Sequence, residues 1–358
     1  MQYKIGVMNG DDIGHEVVPL AVEIMKASTT KYNNVAIDWV ELPIGYKSYL
    51  DCGETLPQHT LDSLKYMDGW VLGPIGHAVY PKNDPKAINP HPIIRKVFDL
   101  HSNVRPSRSY VNVNSVQNDV DLIVVRENIE GFQPDRNVYA GTGEFMPTSD
   151  LAMSVRVITR RNSEAVAETA FKLAQQRRKK VTAIHKKSVF KMGCGLFVES
   201  CRNVAQKYPD VLYEEMHVDT SAASLVMNPQ KFDVLVTTNM FGDILSDLTS
   251  GLVGGLGMAP GLCIGPKYSM AQATHGSAPG IVGKEIANPY ALIMSGKMLL
   301  EWLGVQNKDS SLLNASQLIE DAVNHAIKKG MVTPDMGGEA TTKEMGKAIC
   351  SYVSNVHV

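Results

Sequence analysis

An α/β protein, strands alternating with helices, is what the sequence predicts, and three stretches carry the prediction. Residues 3–8 (YKIGVM) read as a buried strand that passes through Asn9-Gly10-Asp11-Asp12-Ile13-Gly14 into an amphipathic helix carrying Val17, Val18, Leu20, Ala21, Ile24 and Met25. Residues 181–184 form a second strand, delivering His185-Lys186-Lys187-Ser188 ahead of a helix that ends near Gln206. The third stretch, residues 232–247 (FDVLVTTNMFGDILSD), organises the rest: an apolar run ends at Asn239 and turns into a helix bearing Asp243 and Asp247. Carboxylates four residues apart share one helix face, so both can reach a single hard cation. Acids near a helix start also favour its dipole and can simply face water. The strand-to-helix setting, where open α/β sheets place ligands, favours the cation.

At 358 residues the chain suits two domains or one large lobed domain, with ample apolar material for a core. Its 35 basic and 37 acidic residues balance, which points away from nucleic acid and from an anionic membrane as partners. Cys52, Cys194, Cys201, Cys263 and Cys350 show neither metal-ligand spacing nor a disulfide framework, and read as reduced thiols of a cytoplasmic protein. A strand opening at Tyr3 predicts no secretory signal before it. No apolar run is long enough to span a bilayer, and there are neither internal repeats nor low-complexity segments.

Along the chain, a strand at 35–41, a helix at 57–65 with its proline in the first turn, and a buried strand at 69–72 continue the alternation. The first strand-to-helix turn lacks the GxGxxG fingerprint, so a Rossmann-type fold gains little support. Residues 73–92, rich in Gly, Pro, Asn and His, form a long loop of the sort that is often functional. Beyond it come Arg95, then Arg105 in HSNVRPSRSY, then Arg126 closing an apolar strand at 121–126. A single arginine is most often a solvated surface residue. Three at element ends in one region read as a clamp for several carboxylates, since guanidinium pairs bidentately with carboxylate.

Residues 129–150, with Tyr139 in VYAG, are a loop or excursion; 151–159 alternate as an antiparallel strand suited to an interface; 163–178 form a helix with a basic end. Lysines after a strand usually face solvent, yet one beside a bound dication has a lowered pKa and can act as a base. A strand at 211–219 ends on Asp219, a third candidate ligand for the cation. The glycine-dense loop 251–266 allows close backbone approach to a ligand. His275-Gly276-Ser277-Ala278-Pro279 follows a short strand, where a lone histidine is usually structural, and Pro289 opens a helix. Helices at 293–302, 316–329 and 342–353 close the chain, Gly330 acting as a stop.

In this order GDDIG, IIRK, NVRP, VREN, HKKSV, VDTSAASLV, TTNMFGDILSD, HGSAPG, ANP and PDMGG resemble, nearly end to end, the decarboxylating β-hydroxyacid dehydrogenases, which include isocitrate and 3-isopropylmalate dehydrogenases. The resemblance implies a bilobed α/β fold distinct from Rossmann, a mixed sheet with flanking helices. It implies a large cofactor-binding domain of residues 1–100 plus 254–358 and a small domain of 101–253 holding the metal site and dimer interface. It also implies a homodimer with shared active sites, the lysine and one metal aspartate crossing the interface.

Carried over by motif, Arg95, Arg105 and Arg126 bind malate-like carboxylates, while Asp219, Asp243 and Asp247 hold Mg²⁺ or Mn²⁺. Lys186 and Asp219 count as catalytic: the lysine takes the C2 hydroxyl proton as hydride passes to nicotinamide. The C3 carboxylate then leaves as CO₂ while the cation stabilises the enolate, and a tyrosine protonates C3. His275, Gly276, Ser277, Ala278, Asn288 and Asp335 are the expected cofactor-binding residues.

Several positions depart from the family pattern. The family tyrosine falls seven residues after the arginine of VREN, where this chain has Gln133; with residues 133–138 taken as an insertion, Tyr139 matches instead. GDDIG replaces GDGIG, placing Asp12 beside the expected nicotinamide site, and Ser188 stands where an asparagine is common. Gly280 replaces the aspartate of NAD-dependent members, while Gly280 and Ile281 replace the Lys-Tyr pair of one NADP-dependent branch. PDMGG resembles the NAD-type ending, so NAD is favoured over NADP. The substrate's variable substituent falls to Asn89 and His91. Isopropylmalate enzymes carry a leucine pair where this chain has His91 and Pro92, and isocitrate enzymes carry Ser and Asn where Asn89 and His91 stand, both of them polar. A histidine in such a loop can also touch nothing. A carboxylated or hydroxylated substituent therefore fits better than a bare isopropyl group, but neither pattern is met: the function read is oxidative decarboxylation of an isocitrate- or 3-isopropylmalate-type acid, with tartrate, D-malate, homoisocitrate or another malate derivative open. A non-catalytic regulatory subunit, and hydride transfer without decarboxylation, are the competing readings.

Overall fold

The computed structural model describes residues 1–133, 135 and 137–356. The chain opens with β1 (Gln2–Met8) and α1 (Gly14–Thr29), the helix burying Val17, Val18, Ala21, Ile24 and Met25 at the three-to-four residue spacing of one face. β2 (Ala36–Glu41), α2 (Gly45–Cys52), α3 (Gln58–Leu64) and β3 (Gly69–Leu72) follow. The sequence pattern did not reveal α2, a short helix burying only Gly45 and Ser48. Pro57 is the N-cap of α3 rather than a residue of its first turn. The long loop ends earlier than expected, in α4 (Pro90–Val97), whose cap is Asn89: its side chain accepts from the His91 backbone N–H at 3.2 Å.

Next come β4 (Ser102–Arg108), which holds Arg105, β5 (Asp121–Glu127), a hairpin of β6 (Glu144–Thr148) and β7 (Leu151–Ser154), α5 (Arg160–Gln175), β8 (Lys180–His185) and α6 (Gly193–Ala205). The strand expected to end on Asp219 stops sooner. It is β9 (Leu212–His217), and Val218 opens α7 (Val218–Met227), placing Asp219 in a helical first turn where its charge suits the dipole. β10 (Val234–Thr237) leads into α8 (Asn239–Leu252). The glycine-dense loop contains β11 (Leu262–Ile264), and β12 (Ser269–Ala271), α9 (Tyr290–Asn307), α10 (Ser310–Lys328) and α11 (Thr342–Asn355) finish the described chain. A Thr341–Glu344 capping box starts α11.

The described strands form one ten-stranded sheet, order β2-β1-β3-β12-β11-β4-β5-β10-β8-β9, and the separate β6-β7 hairpin. β11 pairs antiparallel with both its neighbours and β4 pairs antiparallel with β5, while every other pairing in the large sheet is parallel. The mixed sheet therefore joins two parallel blocks of opposite direction through β11 and β4. The largest buried cluster packs α1 and α9 to α11 against the sheet and continues through Leu122, Val124, Leu235 and Leu245, on both sides of the expected boundary at residues 253 and 254. A second joins α5 and α6 to β5, β8 and β10, and a third surrounds Trp70. The hairpin is exposed along its length, with Phe145, Met146, Leu151 and Met153 outward.

Candidate active site

The register of β4 and β5 sets Asn103 opposite Arg126, so Arg105, two residues along, lies diagonally from Arg126 on the same face of the sheet. Helix α8 crosses that face. Asp243 accepts from Arg105 Nη1 at 3.2 Å and also takes the Arg126 Nη1 hydrogen bond. Ser246 accepts from Arg105 at 2.7 Å, Asn239 accepts from Arg126 Nη2 at 2.8 Å, and Asp247 stands 3.8 Å from Arg105. Asn239, Asp243, Ser246 and Asp247 share one helix face by spacing. Both arginines are only 6% exposed. Burial, and for Arg126 the charge of Arg105 beside it, push the guanidinium pKa values down, Arg126 to about 9, which still leaves it charged at neutral pH.

Arg95 joins them. It lies close enough for its charge to lower both other arginines, and its Nη2 donates to Gln272 Oε1 at 3.1 Å. The Nε atoms of Arg95, Arg105 and Arg126 are all buried without a partner. Buried cationic donors left open are costly unless an anion completes them.

The acids divide. Asp243 and Asp247 project from the guanidinium layer with about half of each side chain exposed. Burial raises the Asp247 pKa, against the pull of Arg105. Asp219 instead pairs with Lys186 at 2.5 Å, which lowers the aspartate pKa. Among the described residues no three His, Cys, Asp or Glu side chains gather as a metal cluster. One chain thus brings together two of the three expected ligands at the arginines, and the lysine with the third elsewhere.

Tyr139 is not brought to the clamp; its side chain is fully exposed. Gln133 is, donating to Asn239 Oδ1 at 3.0 Å beside Arg126. Of the insertion expected at 133–138, positions 134 and 136 lie outside the described residues. Asn89 caps α4 through Oδ1, and His91 Nε2 contacts Gln272 Nε2 at 2.5 Å. Gln272 went unremarked in the sequence, although a glutamine in the small apolar run SMAQA is a visible break. Glu127, also missed, is 2% exposed and accepts from the Ile129 and Glu130 backbone N–H groups and from Asn239.

Comparison with known proteins places this arrangement. The family model described as isocitrate/isopropylmalate dehydrogenase matches residues 4–349. The chain belongs to the isocitrate/isopropylmalate dehydrogenase family. This chain is accordingly an NAD(P)-dependent decarboxylating dehydrogenase acting on a CH–OH group. It is 37% identical to a 3-isopropylmalate dehydrogenase of Saccharolobus solfataricus over 354 residues, 99% of this chain and 100% of that one. It is 36% identical to an isocitrate/homoisocitrate dehydrogenase of Thermus thermophilus over 358 residues, again 99% and 100%. The crystal structure of isocitrate dehydrogenase from Methylococcus capsulatus superposes with a TM-score of 0.86 at 37% identity, covering 99% of this chain and 100% of that one. No helix among the described residues is long and apolar enough to cross a membrane.

The dehydrogenase family uses NAD(P) and a divalent metal, and the residues here suit both. His275 donates Nδ1–H to the Gly276 carbonyl at 2.9 Å, and burial lowers its pKa, so Nε2 is a bare, buried acceptor without a partner. A Cβ added at Gly276 or Gly280 would meet nothing within 4 Å, leaving open space along this loop. The Ser277 carbonyl accepts from the Ile13 N–H at 3.2 Å, tying the HGSAPG loop to GDDIG; Asp12 and Ala278 both adopt positive φ there. Asn288 donates to Asp335 at 2.9 Å, and Thr333 donates to the same carboxyl group at 2.6 Å. For the metal, two half-exposed carboxylates one helical turn apart supply the oxygen donors a hard cation prefers.

Proposed function

We propose that the chain is a metal-dependent, NAD-linked oxidative decarboxylase of a malate-type 2-hydroxy acid whose C3 bears a carboxylate and a polar substituent, working as a homodimer. The observation that carries this reading is the set of three buried, unpartnered Nε donors on Arg95, Arg105 and Arg126. Together with their cationic charge they favour a ligand with more than one carboxylate.

Asp243 and Asp247 would hold Mg²⁺ or Mn²⁺, with Asp219 supplied by a second copy. When bound, the cation would supply charge stabilisation for an enolate and the nicotinamide a hydride acceptor. The chain's own groups do the rest. Arg95, Arg105 and Arg126 fix the carboxylates and so orient C2 and C3. Lys186, held by Asp219 on the neighbouring element, is the base that takes the C2 hydroxyl proton. His275 to Ala278, with Asn288 and Asp335, would hold the adenosine end of the cofactor, the open His275 Nε2 acceptor fitting a ligand N–H or O–H.

A second copy is supported by apolar side chains in solvent on the elements that would have to meet. Val226 and Met227 end α7, Met240 and Ile244 lie on α8 beside Asp243, and the β6-β7 hairpin adds Phe145 and Met153. Nicotinamide reduction with Mn²⁺, across isocitrate, homoisocitrate, 3-isopropylmalate, D-malate and tartrate with NAD and NADP, tests the reading. One strongly preferred polar substrate with NAD, together with released CO₂, is expected. Silence across the panel would overturn it in favour of a regulatory subunit, and reduction without CO₂ would remove the decarboxylation step.

A further inference from the structure

We propose that Gln272 is a positioning residue: oriented by Arg95, its amide locks His91 in the neutral tautomer whose remaining polar group is an Nδ1–H donor, offered to an oxygen-bearing C3 substituent. The substituent's location rests on the function proposed above; the tautomer does not.

Arg95, Gln272 and His91 form one chain of hydrogen bonds. Arg95 Nη2 lies 3.1 Å from Gln272 Oε1, and a guanidinium has no acceptor, so the oxygen must be the atom facing it. That fixes the amide. Gln272 Nε2, which has only hydrogens to give, therefore faces His91 Nε2 at 2.5 Å, and the ring nitrogen must accept. A neutral imidazole accepting at Nε2 carries its proton on Nδ1. An imidazolium would set N–H against N–H, and burial together with Arg95 and His77 opposes a positive charge on His91. Gln272 is 6% exposed just past β12, and Arg95 lies four residues after His91 on α4, so the three groups come from two elements packed together. The other polar candidate here, Asn89, uses its Oδ1 in the cap of α4.

An uncharged donor selects by hydrogen bonding. A carboxylate or hydroxyl on the C3 substituent satisfies Nδ1–H, whereas a bare alkyl group leaves it unpaired, and a site built to hydrogen-bond discriminates strongly against an analogue that cannot. The substrate class is then a malate whose C3 substituent ends in an oxygen acceptor.

The test reads the ring directly. In protein labelled with ¹⁵N-histidine, with the His91 signals identified by their loss in His91→Asn, the wild type should show at pH 7 a neutral ring protonated on Nδ1. Gln272→Glu, whose carboxylate accepts from both neighbours, should convert His91 to an imidazolium, and Gln272→Leu should release it to a tautomer mixture. A wild-type ring protonated on Nε2, or charged at pH 7, or signals unmoved in Gln272→Glu, would overturn the proposal. Because these spectra need no turnover, they stand even if the activity panel is silent. Kinetically, Gln272→Leu should raise KM for isocitrate about tenfold, the scale of one lost hydrogen bond, with a smaller change in kcat, and add nothing in a His91→Leu background. Additive effects there would show that Gln272 does not act through His91.

Discussion

Gly242 lies against Arg126: a Cβ added to the glycine would come within 2.7 Å of the arginine Cβ and 2.6 Å of its Cγ. The helix bearing both metal-site acids can approach the guanidinium layer only because this residue has no side chain. Gly242→Ala ought to gain up to about 1 kcal/mol from helix propensity, but the contact is with the base of a buried side chain that cannot swing away. Overpacking of this kind costs about 1–3 kcal/mol. The expected outcome is a lower urea midpoint and a raised substrate KM, since Arg126 is displaced from Asp243. A variant as stable as wild type with unchanged KM would refute the close approach.

Lys186 is expected to be the base. Lys186→Met removes the proton acceptor while leaving Arg95, Arg105 and Arg126 in place, so kcat should fall by about 10²–10⁴, the range for a positioned proton-transfer group. Substrate should still quench or shift the protein's fluorescence at near-normal concentration. Turnover within a few-fold of wild type would take the role from Lys186.

Asp243 serves two cationic side chains as well as the proposed metal. Asp243→Asn should weaken Mn²⁺ binding by calorimetry at least tenfold, about 1.4 kcal/mol or more, and should also destabilise the chain, because Arg105 and Arg126 lose their shared carboxylate. Chelation of the wild type should abolish turnover and be reversed by added Mn²⁺. Intact Mn²⁺ affinity in Asp243→Asn would exclude it as a ligand.

Tyr139 stands in solvent while Gln133 reaches the site through Asn239. Tyr139→Phe should therefore keep kcat within about twofold, far from the 10²–10⁴ that a proton donor contributes. A collapse of CO₂ release in that variant would assign the C3 proton to it after all.

What the sequence disclosed and what it hid follow one physical division. Local signals were legible: the 3.6-residue face of α1, the strand-to-helix turn at Asn239, and the four-residue spacing of Asp243 and Asp247 all depend on near neighbours. The arginine clamp was legible as three residues, but its geometry depends on β4-β5 register and on a glycine 116 positions after Arg126, which no local pattern contains. The strand expected to reach Asp219 was two residues too long, because the alternation of apolar residues runs on into the first turn of α7. Asn89 reads as a substrate contact from its place in the motif, and a residue before Pro90 at a helix start is also an N-cap, a role its Oδ1 fills while its amide Nδ2 is left for other partners. Gln272 and Glu127 were missed because each matters only through partners far away in sequence: Arg95 and His91 for one, Asn239 for the other.

Glu127 carries the last prediction. Its carboxyl group is 2% exposed, and burial, with the charge of Glu130 beside it, raises its pKa to about 7, against the lowering effect of the Ile129 and Glu130 N–H groups and Asn239. The folded state thus binds this proton more tightly than the unfolded chain, where the ordinary value is 4.5. The corresponding stability is complete below pH 4.5 and is lost as the pH rises through about 7, amounting to about 3 kcal/mol across that window. Buried histidines such as His91 and His275 have lowered values and gain stability in the opposite direction, so the wild-type profile alone mixes the two. The difference from Glu127→Gln isolates the carboxyl group. The variant cannot ionise, and its urea stability, measured from pH 4.5 to pH 8, should rise relative to wild type by that amount as the pH increases. Parallel profiles for the two proteins would mean that Glu127 ionises in the fold as easily as in the unfolded chain, and that its burial against Asn239 does not govern its proton.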